Sequence, residues 1–117
     1  MSKPPLRDLS PAELADLHAL GKVAIVDVRE PDEFAALRIE GAHNAPLSTF
    51  DPRSLETPAG RSLVFQCGSG KRSAMAVERC RAAGLEADTH LGGGIAAWRE
   101  AGLPTVSGAP DAARKAR

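Results

Sequence analysis

The sequence has few aromatic residues and no excess of charge of either sign. Among its 117 residues are no tyrosine, one tryptophan and three phenylalanines, and 15 Lys and Arg residues are balanced by 15 Asp and Glu residues. Nucleic acids and anionic membranes are held by surfaces with an excess of basic side chains. The composition therefore excludes a broad surface for nucleic acid or membrane, and any preference for anions has to come from a local group of residues.

Long apolar runs are absent as well. No stretch approaches the length that crosses a membrane, and the start, Met-Ser-Lys-Pro-Pro, lacks the apolar segment of a secretory signal. We therefore expect a soluble, cytoplasmic protein of one domain with a single modest core. Cysteine is scarce: Cys67 and Cys80 are too few for a disulfide framework, and we expect both to be reduced thiols.

The most informative stretch is the loop from Cys67 to Ser73, Cys-Gly-Ser-Gly-Lys-Arg-Ser. It follows the apolar run 63–65 and precedes a helix-forming segment, which predicts a strand, a tight loop and a helix. Gly68 and Gly70 can adopt dihedral angles closed to other residues, so the loop can curl until several N–H groups point at one spot beside the Cys67 sulfur.

The charges of this loop favour a reactive cysteine. The amino end of the following helix adds a partial positive charge, and Lys71 and Arg72 add two full ones, all of which favour a thiolate over a thiol. We interpret Cys67 as a nucleophile. The alternative is a buried cysteine at the end of a core strand, which needs neither flanking glycines nor paired cations. For Lys71, a solvated surface charge is an equally good interpretation.

Capping residues predict the first helix. Ser10 is a natural N-cap, Pro11 suits the first helical position, and Glu13 completes a capping box. We expect structure to begin at Leu9 and the helix to end at Gly21. Its expected buried stripe consists of Leu14, Leu17 and Leu20.

The β-prone apolar run at 23–28 predicts a strand buried on both faces, as in parallel sheets flanked by helices. Asp27 and Arg29 fall at its carboxyl end, the edge at which open α/β sheets bind ligands, so Arg29 is a candidate for helping to bind an anion. A salt bridge between neighbouring loops is the alternative that we favour for Arg29.

Weaker patterns divide the middle of the chain. We expect a short helix opening at 30–34 and a small strand or extended crossing at 42–47, in which His43 serves as hydrogen-bonded structure. A further helix is expected from about Ser73 to Ala83, with Cys80 in the core.

The last part of the chain predicts one more strand and one more helix. Residues 85–91 suit a strand, which Glu86 and Asp88 place at an edge or half exposed. The glycine run 92–94 allows a sharp turn before a helix at 95–101. Such a run can cradle phosphate, but no further phosphate-binding pattern accompanies it.

Three groups of segments follow one another along the chain. They are Val-Asp-Val-Arg-Glu (26–30) with Glu33-Phe34 and Gly-Ala-His-Asn-Ala-Pro (41–46); the loop 67–73; and Leu-Gly-Gly-Gly-Ile-Ala-Ala-Trp (91–98) with Ala-Gly-Leu-Pro (101–104). Taken together, these groups resemble the signatures of the rhodanese-like domain family. One group alone would be a weak signal, whereas three in order are specific. Where many members have Gly-His, this chain has Leu37-Arg38.

The alternation of strands and helices and this resemblance lead to one expected fold. It is a three-layer α/β domain with a central, mostly parallel sheet of four to five strands, helices on both faces and the cysteine at the carboxyl edge of the strands. We expect this domain at 9–106, a loose lead-in at 1–8 and a flexible tail at 107–117.

The resemblance implies a sulfurtransferase. Cys67 would take a sulfane sulfur from an anionic donor, thiosulfate or a persulfide, hold it as a persulfide and pass it to cyanide or a thiol. No metal or organic cofactor is implied, and a sulfur-carrying protein is a further candidate partner. The donor and the persulfide would be held by Gly68, Ser69, Gly70, Lys71, Arg72 and Ser73.

Two other functions stay open from the sequence. One is a phosphatase or an arsenate reductase: phosphatases with a cysteine-arginine loop, including those built on this fold, have five residues between the cysteine and the arginine, whereas Cys67 and Arg72 enclose four. The smaller ring suits a sulfur atom better than a tetrahedral phosphate. A non-catalytic binding or regulatory module is the other alternative, although such modules often lose the cysteine that this chain retains.

Overall fold

Strands and helices alternate along the part of the chain that the structure, a computed structural model, describes, residues 5–108. The strands are β1 (Arg7–Leu9), β2 (Val23–Asp27), β3 (His43–Asn44), β4 (Ser62–Gln66) and β5 (Thr89–Leu91). The α-helices are α1 (Pro11–Ala19), α2 (Pro31–Ala36), α3 (Lys71–Ala82) and α4 (Gly94–Glu100). Two single 3-10 turns, Leu47–Thr49 and Pro52–Ser54, lie between β3 and β4.

The five strands form one sheet in the order β1-β5-β4-β2-β3, and every neighbouring pair is parallel. The longest pairing joins β2 to β4, from Val23 opposite Ser62 to Asp27 opposite Gln66. The two strands therefore end at the same level, and Cys67, the residue after β4, lies at the carboxyl edge as expected. The predicted α/β fold is confirmed, with five strands.

Helices cover both faces of the sheet and bury two apolar clusters. Successive residues of a strand point to opposite faces, so Ile25 and Val26 belong to different clusters. One cluster packs Leu14 of α1 and Trp98 of α4 against the sheet. The other packs α3 against it, and the fully buried Cys80 belongs to this cluster, which confirms its core position. Each such buried side chain contributes about 1.5–3 kcal/mol, so the three layers hold the loop after β4 firmly.

The start of α1 follows the prediction, and so does its stop at Gly21, which has a φ of +70°, but the expected buried stripe is only partly confirmed. Ser10 accepts from the Glu13 amide at 3.1 Å, and the Glu13 carboxylate accepts from the Ser10 amide at 2.9 Å, which closes the capping box. Leu14 is fully buried, but Leu20 is 67% exposed, so the expected stripe was wrong at that position. The reason is that the helix ends at Ala19, and Leu20 is its C-cap.

The beginning of the sheet corrects two expectations. Structure begins at Arg7 and not at Leu9, because β1 pairs with β5, with Asp8 opposite His90. As a result β5 lies inside the sheet and not at its edge. The acidic residues that suggested an edge precede the strand, which starts at Thr89. The expected loose ends fall mostly on residues 1–4 and 109–117, outside the described part.

Smaller differences concern the termini of elements. The helix after the loop begins at Lys71, two residues before the expected start, and the last helix begins at Gly94. His43 lies in the short strand β3 as expected, but its side chain is exposed and not part of a hydrogen-bonded core. No helix among residues 5–108 has the length and apolar character needed to cross a membrane.

Candidate active site

The Cys67 sulfur lies inside the loop that joins β4 to α3, and the residue is 1% exposed. The Gly70 amide donates to Sγ at 3.1 Å and the Ser73 amide at 3.3 Å, while the Ser73 hydroxyl oxygen lies 3.5 Å away. Gly70, the N-cap of α3, has a φ of 106°, which lets the chain turn sharply enough to aim these groups at one atom. The loop is therefore a ring of donors around a single sulfur, and such a ring stabilises a negative charge there.

The pKa values of the two thiols of the chain are shifted in opposite directions. Burial raises the pKa of Cys67. Hydrogen bonds from the Ser73 side chain and from the backbone amides of Ser73, Gly70 and Ser69 lower it by more than burial raises it, so the net pKa is below that of an ordinary thiol. For Cys80 burial acts alone and raises the pKa to about 11. Cys67 is thus the thiol prepared to ionise, and Cys80 is inert packing.

The glycine run before α4 fixes the carbonyl side of the same loop. The Ile95 amide donates to the Cys67 carbonyl at 2.8 Å, and the Ala96 amide donates to the Gly68 carbonyl at 3.1 Å. A Cβ on Gly94 would lie 2.4 Å from the Cys67 carbonyl oxygen, so only glycine permits this approach. The free amides of α4 bind the loop itself, which explains the glycine run without a phosphate.

Arg72 lies against the loop but is paired with a carboxylate. Its guanidinium donates to the two carboxylate oxygens of Glu33 at 2.7 and 3.1 Å. A Cβ on Gly68 would lie 3.2 Å from the Arg72 guanidinium, so this pair borders the outer side of the loop. The sequence did not predict the pairing of Arg72 with Glu33. Lys71 is exposed at the start of α3, as in the interpretation of it as a solvated surface charge.

Arg29 forms the salt bridge that we favoured over anion binding. The residue is 5% exposed, and its guanidinium donates to the fully buried Asp27 at 2.8 Å. It also donates to the carbonyl oxygens of Leu37 at 2.6 Å and Glu33 at 3.4 Å. These bonds tie the end of β2 to α2, and they satisfy a buried charge. The structure therefore places Arg29 as a support for the helix that holds Glu33.

Sequence reasoning missed four residues of this site: Asp8, Glu33, His90 and Gly94. Nδ1 of His90 lies 2.7 Å from the Ser73 hydroxyl oxygen, within hydrogen-bond distance, and Nε2 lies 2.5 Å from the Asp8 carboxylate. The signal for His90 was its position near the end of a strand, since ligand-facing residues collect there. Glu33 and Gly94 lie in segments that carry the family resemblance. Between residues 5 and 108 no group of three or more His, Cys, Asp or Glu side chains is arranged to hold a metal ion.

Comparison with known proteins gives consistent relatives. The chain is 43% identical over 98 residues, or 84% of its length, to the uncharacterized protein slr1261 of Synechocystis, and it spans 55% of that relative. It is 38% identical over 85 residues to a protein of Allochromatium vinosum named sulfurtransferase, an alignment that covers 73% of this chain and 79% of the relative. The chain thus spans about half the length of one of these proteins and most of the other.

A solved structure shares both the fold and part of the sequence. The rhodanese-related protein of Thermoplasma volcanium superposes with a TM-score of 0.72 at 32% identity, covering 86% of this chain and 97% of that one. The family described as the Rhodanese-like domain matches residues 10–101, and this range contains the whole loop around Cys67. The chain belongs to the rhodanese-like domain family.

Proposed function

We propose that this protein is a sulfurtransferase that carries the transferred sulfur on Cys67 as a persulfide. The observation that supports the proposal most strongly is the ring of polar groups around Sγ: two backbone amides that donate to it at 3.1 and 3.3 Å, and the Ser73 hydroxyl oxygen at 3.5 Å. This ring lowers the pKa of the thiol in a site where burial alone would raise it. A buried thiolate with directed donors is suited to attack sulfur and then to hold an anionic product.

In the first step the Cys67 thiolate attacks the outer sulfur of thiosulfate. A bond forms between the two sulfurs, and the bond between the outer sulfur and the sulfite group breaks. Sulfite leaves with the electron pair, and Cys67 becomes a persulfide whose terminal sulfur is negative. Because Cys67 is 1% exposed, the atom that it attacks must be at the tip of the donor, as it is in thiosulfate or a low-molecular-weight persulfide.

In the second step an acceptor attacks the terminal sulfur of the persulfide. Cyanide takes that sulfur as thiocyanate, and a thiol takes it as a new persulfide. In both cases the electron pair of the broken bond returns to Cys67 as a thiolate. The step is assisted by the same amides, because a stabilised thiolate is a better leaving group. The two steps balance with no metal or organic cofactor.

The side chains on the outer side of the loop support an anionic donor. We assign the loop backbone at Gly68, Ser69 and Gly70 to holding the transferred sulfur, and Arg72 to attracting the oxyanion of the donor. The Glu33 carboxylate shares that guanidinium, so a donor has to compete with it. Lys71, exposed at the first position of α3, adds a general attraction for anions and needs no direct contact.

Intact mass spectrometry tests the proposal directly. The protein is incubated with thiosulfate, separated from it and weighed, and then treated with cyanide. We expect an added mass of one sulfur that cyanide removes, an adduct that disappears in Cys67→Ser and persists in Cys80→Ala. If the wild-type protein takes up no sulfur from thiosulfate or from a low-molecular-weight persulfide, the domain is a binding module and the proposal is wrong.

A further inference from the structure

Four polar groups form a continuous row from the buried sulfur to the surface. The Cys67 sulfur lies 3.5 Å from the Ser73 hydroxyl oxygen, that oxygen lies 2.7 Å from Nδ1 of His90, and Nε2 of His90 lies 2.5 Å from the Asp8 carboxylate. We propose that Ser73, His90 and Asp8 are a proton relay that receives the proton of the Cys67 thiol and returns it after transfer. The inference rests on the proposed function for its effect on turnover, but not for its effect on the thiol.

Burial along the row shows why a relay is needed. Cys67 is 1% exposed, Ser73 is fully buried and His90 is 5% exposed, whereas the Asp8 side chain is 69% exposed. A thiol at the inner end has no direct route for its proton to bulk water. Each neighbouring pair in the row is within hydrogen-bond distance, so the proton can leave through side chains whose outer end is solvated.

The hydrogen-bond inventory sets the direction of transfer. An ionised Asp8 carboxylate only accepts, so it takes the hydrogen on Nε2 of His90 and leaves Nδ1 as an acceptor. The Ser73 hydroxyl has one hydrogen, which Nδ1 accepts at 2.7 Å in preference to the Gly70 carbonyl at 3.1 Å. The lone pairs of the serine oxygen then face the thiol, which is the arrangement that accepts its proton.

The proposed step moves two protons and changes no bond between heavy atoms. The thiol proton passes to the Ser73 oxygen while the serine's own proton passes to Nδ1 of His90. The products are a thiolate, an intact hydroxyl and an imidazolium ion paired with Asp8. The serine hydrogen now points to the thiolate and strengthens the ring of donors. When the acceptor has removed the sulfur, the same shift in reverse regenerates the thiol.

The other groups around His90 leave Asp8 as its charged partner. In the sheet β1 faces it with Asp8 and β4 with Phe65, while the loop before α3 approaches it at Gly70. From α3, Ser73 links it to Cys67. Arg72 is close enough to Cys67 for electrostatic attraction, but its guanidinium is paired with Glu33. The imidazolium is therefore stabilised by Asp8 on one side and by the new thiolate on the other.

The other two histidines serve as internal comparisons. His18 bonds a backbone carbonyl, that of Glu40, at 2.8 Å, and His43 is exposed in β3. Within residues 5–108, neither of them joins a carboxylate to a hydroxyl. A histidine needed only for packing could bind a backbone carbonyl, as His18 does. His90 is instead placed between an acid and a hydroxyl that touches the reacting sulfur, which is the order of groups that a relay requires.

The test measures the alkylation of Cys67 by iodoacetamide from about pH 5 to about pH 9, in a Cys80→Ala background so that one thiol reports. If the relay exists, the thiolate paired with the imidazolium keeps the rate of Cys67 alkylation constant, on a plateau, at acidic pH. In His90→Asn the side-chain oxygen still accepts from Ser73 but takes no proton, so the plateau should disappear and alkylation at about pH 6 should slow about tenfold. Asp8→Asn should lower the rate of alkylation on this plateau about threefold.

Controls separate the relay from general effects. Asp16→Asn removes an exposed carboxylate from α1, His43→Asn removes an exposed histidine, and both should keep the wild-type profile. Asp8 is on the surface, so its variant is informative even where His90→Asn fails to fold. Profiles of Asp8→Asn and His90→Asn that match the wild type would overturn the relay, even if Cys67 takes up sulfur. An acidic plateau in the alkylation profile, together with no sulfur adduct in the mass-spectrometry test, would instead overturn the proposed function and leave the relay standing.

Discussion

The Arg72 guanidinium and the Glu33 carboxylate form a two-pronged ion pair across 39 positions of the chain, at 2.7 and 3.1 Å. The hydrogen bonds from Arg72 lower the pKa of Glu33 to about 2, and those to Glu33 raise the pKa of Arg72, which attraction to Cys67 raises further. The pair borders the loop around the reactive sulfur. In the proposed reaction it therefore sets how much positive charge an approaching sulfur donor meets.

Removing the carboxylate of this pair should improve the binding of thiosulfate. In Glu33→Gln the charge of Arg72 is no longer compensated, so a dianionic donor is attracted more strongly, and the KM for thiosulfate should fall about threefold at low salt. The gain should shrink as salt is added. Asp32→Asn removes a neighbouring exposed charge of the same helix and is the matched control. An unchanged or higher KM in Glu33→Gln alone would show that Glu33 matters for holding Arg72 in place.

The same ion pair should make stability depend on pH in a defined direction. The pKa of Glu33 falls from 4.5 to about 2 on folding, so its contribution is complete above the unfolded value and is lost as pH falls toward the folded one. Both side chains are more than a third exposed, so the contribution is only about 1 kcal/mol. The free energy of unfolding in urea should be lower in Glu33→Gln by that amount at neutral pH, and by less at about pH 3. A difference that grows on acidification would contradict this.

Gly94 should be indispensable to the shape of the loop. A Cβ there would lie 2.4 Å from the Cys67 carbonyl oxygen, and φ is +61°, so Gly94→Ala meets both overlap and backbone strain. We expect a loss of about 3 kcal/mol or more in the free energy of unfolding, together with loss of sulfur uptake. Gly102 has a φ of +77° but nothing within 4 Å of its Cβ position. Gly102→Ala should therefore cost only about 1 kcal/mol and retain uptake.

The two cysteines should differ in reactivity. Hydrogen bonds lower the pKa of Cys67, whereas burial raises that of Cys80 to about 11. A limiting amount of iodoacetamide at neutral pH should therefore modify Cys67 alone, which peptide mapping can verify. Cys80→Ala should lower stability by about 1 kcal/mol, because a small buried side chain is shortened, and should leave alkylation of Cys67 unchanged. Labelling of both thiols at equal rates would mean that the loop does not activate Cys67.

The sequence specified the local features of the site but not its long-range pairs. Gly68, Gly70 and the apolar run before Cys67 have local consequences, so the strand, loop and helix could be predicted from them. The partners of Arg72 and His90 lie 39 and 82 positions away. No periodicity connects residues at such distances, and only the parallel order of the strands brings them together. Arg72 was assigned wholly to the donor for this reason.

In the fold, too, elements that depend on neighbouring residues were predicted, and an element that depends on distant pairing was missed. Helix α1 was recognised from its capping box, because the residues that satisfy its first amides are neighbours in sequence. Strand β1 was missed because it has three residues, of which the charged Arg7 and Asp8 are exposed and Leu9 alone is buried. Its existence depends on pairing with β5, and the error at β1 caused the error about the position of β5. Short strands are specified by their neighbours more than by their own residues.

Asp8 belongs to β1, an edge strand of the sheet, whose one neighbouring strand among the described residues is β5, with three aligned residue pairs. A force or a competing polypeptide that peeled β1 away would separate Asp8 from His90 and leave the cysteine and its amides untouched. In the proposed relay, the ionisation of the Cys67 thiol thus depends on an edge strand that lies two strands away from β4. If the relay operates as proposed, loosening this edge strand would slow the reaction of Cys67 at acidic pH to a similar extent as Asp8→Asn, with no inhibitor in the loop.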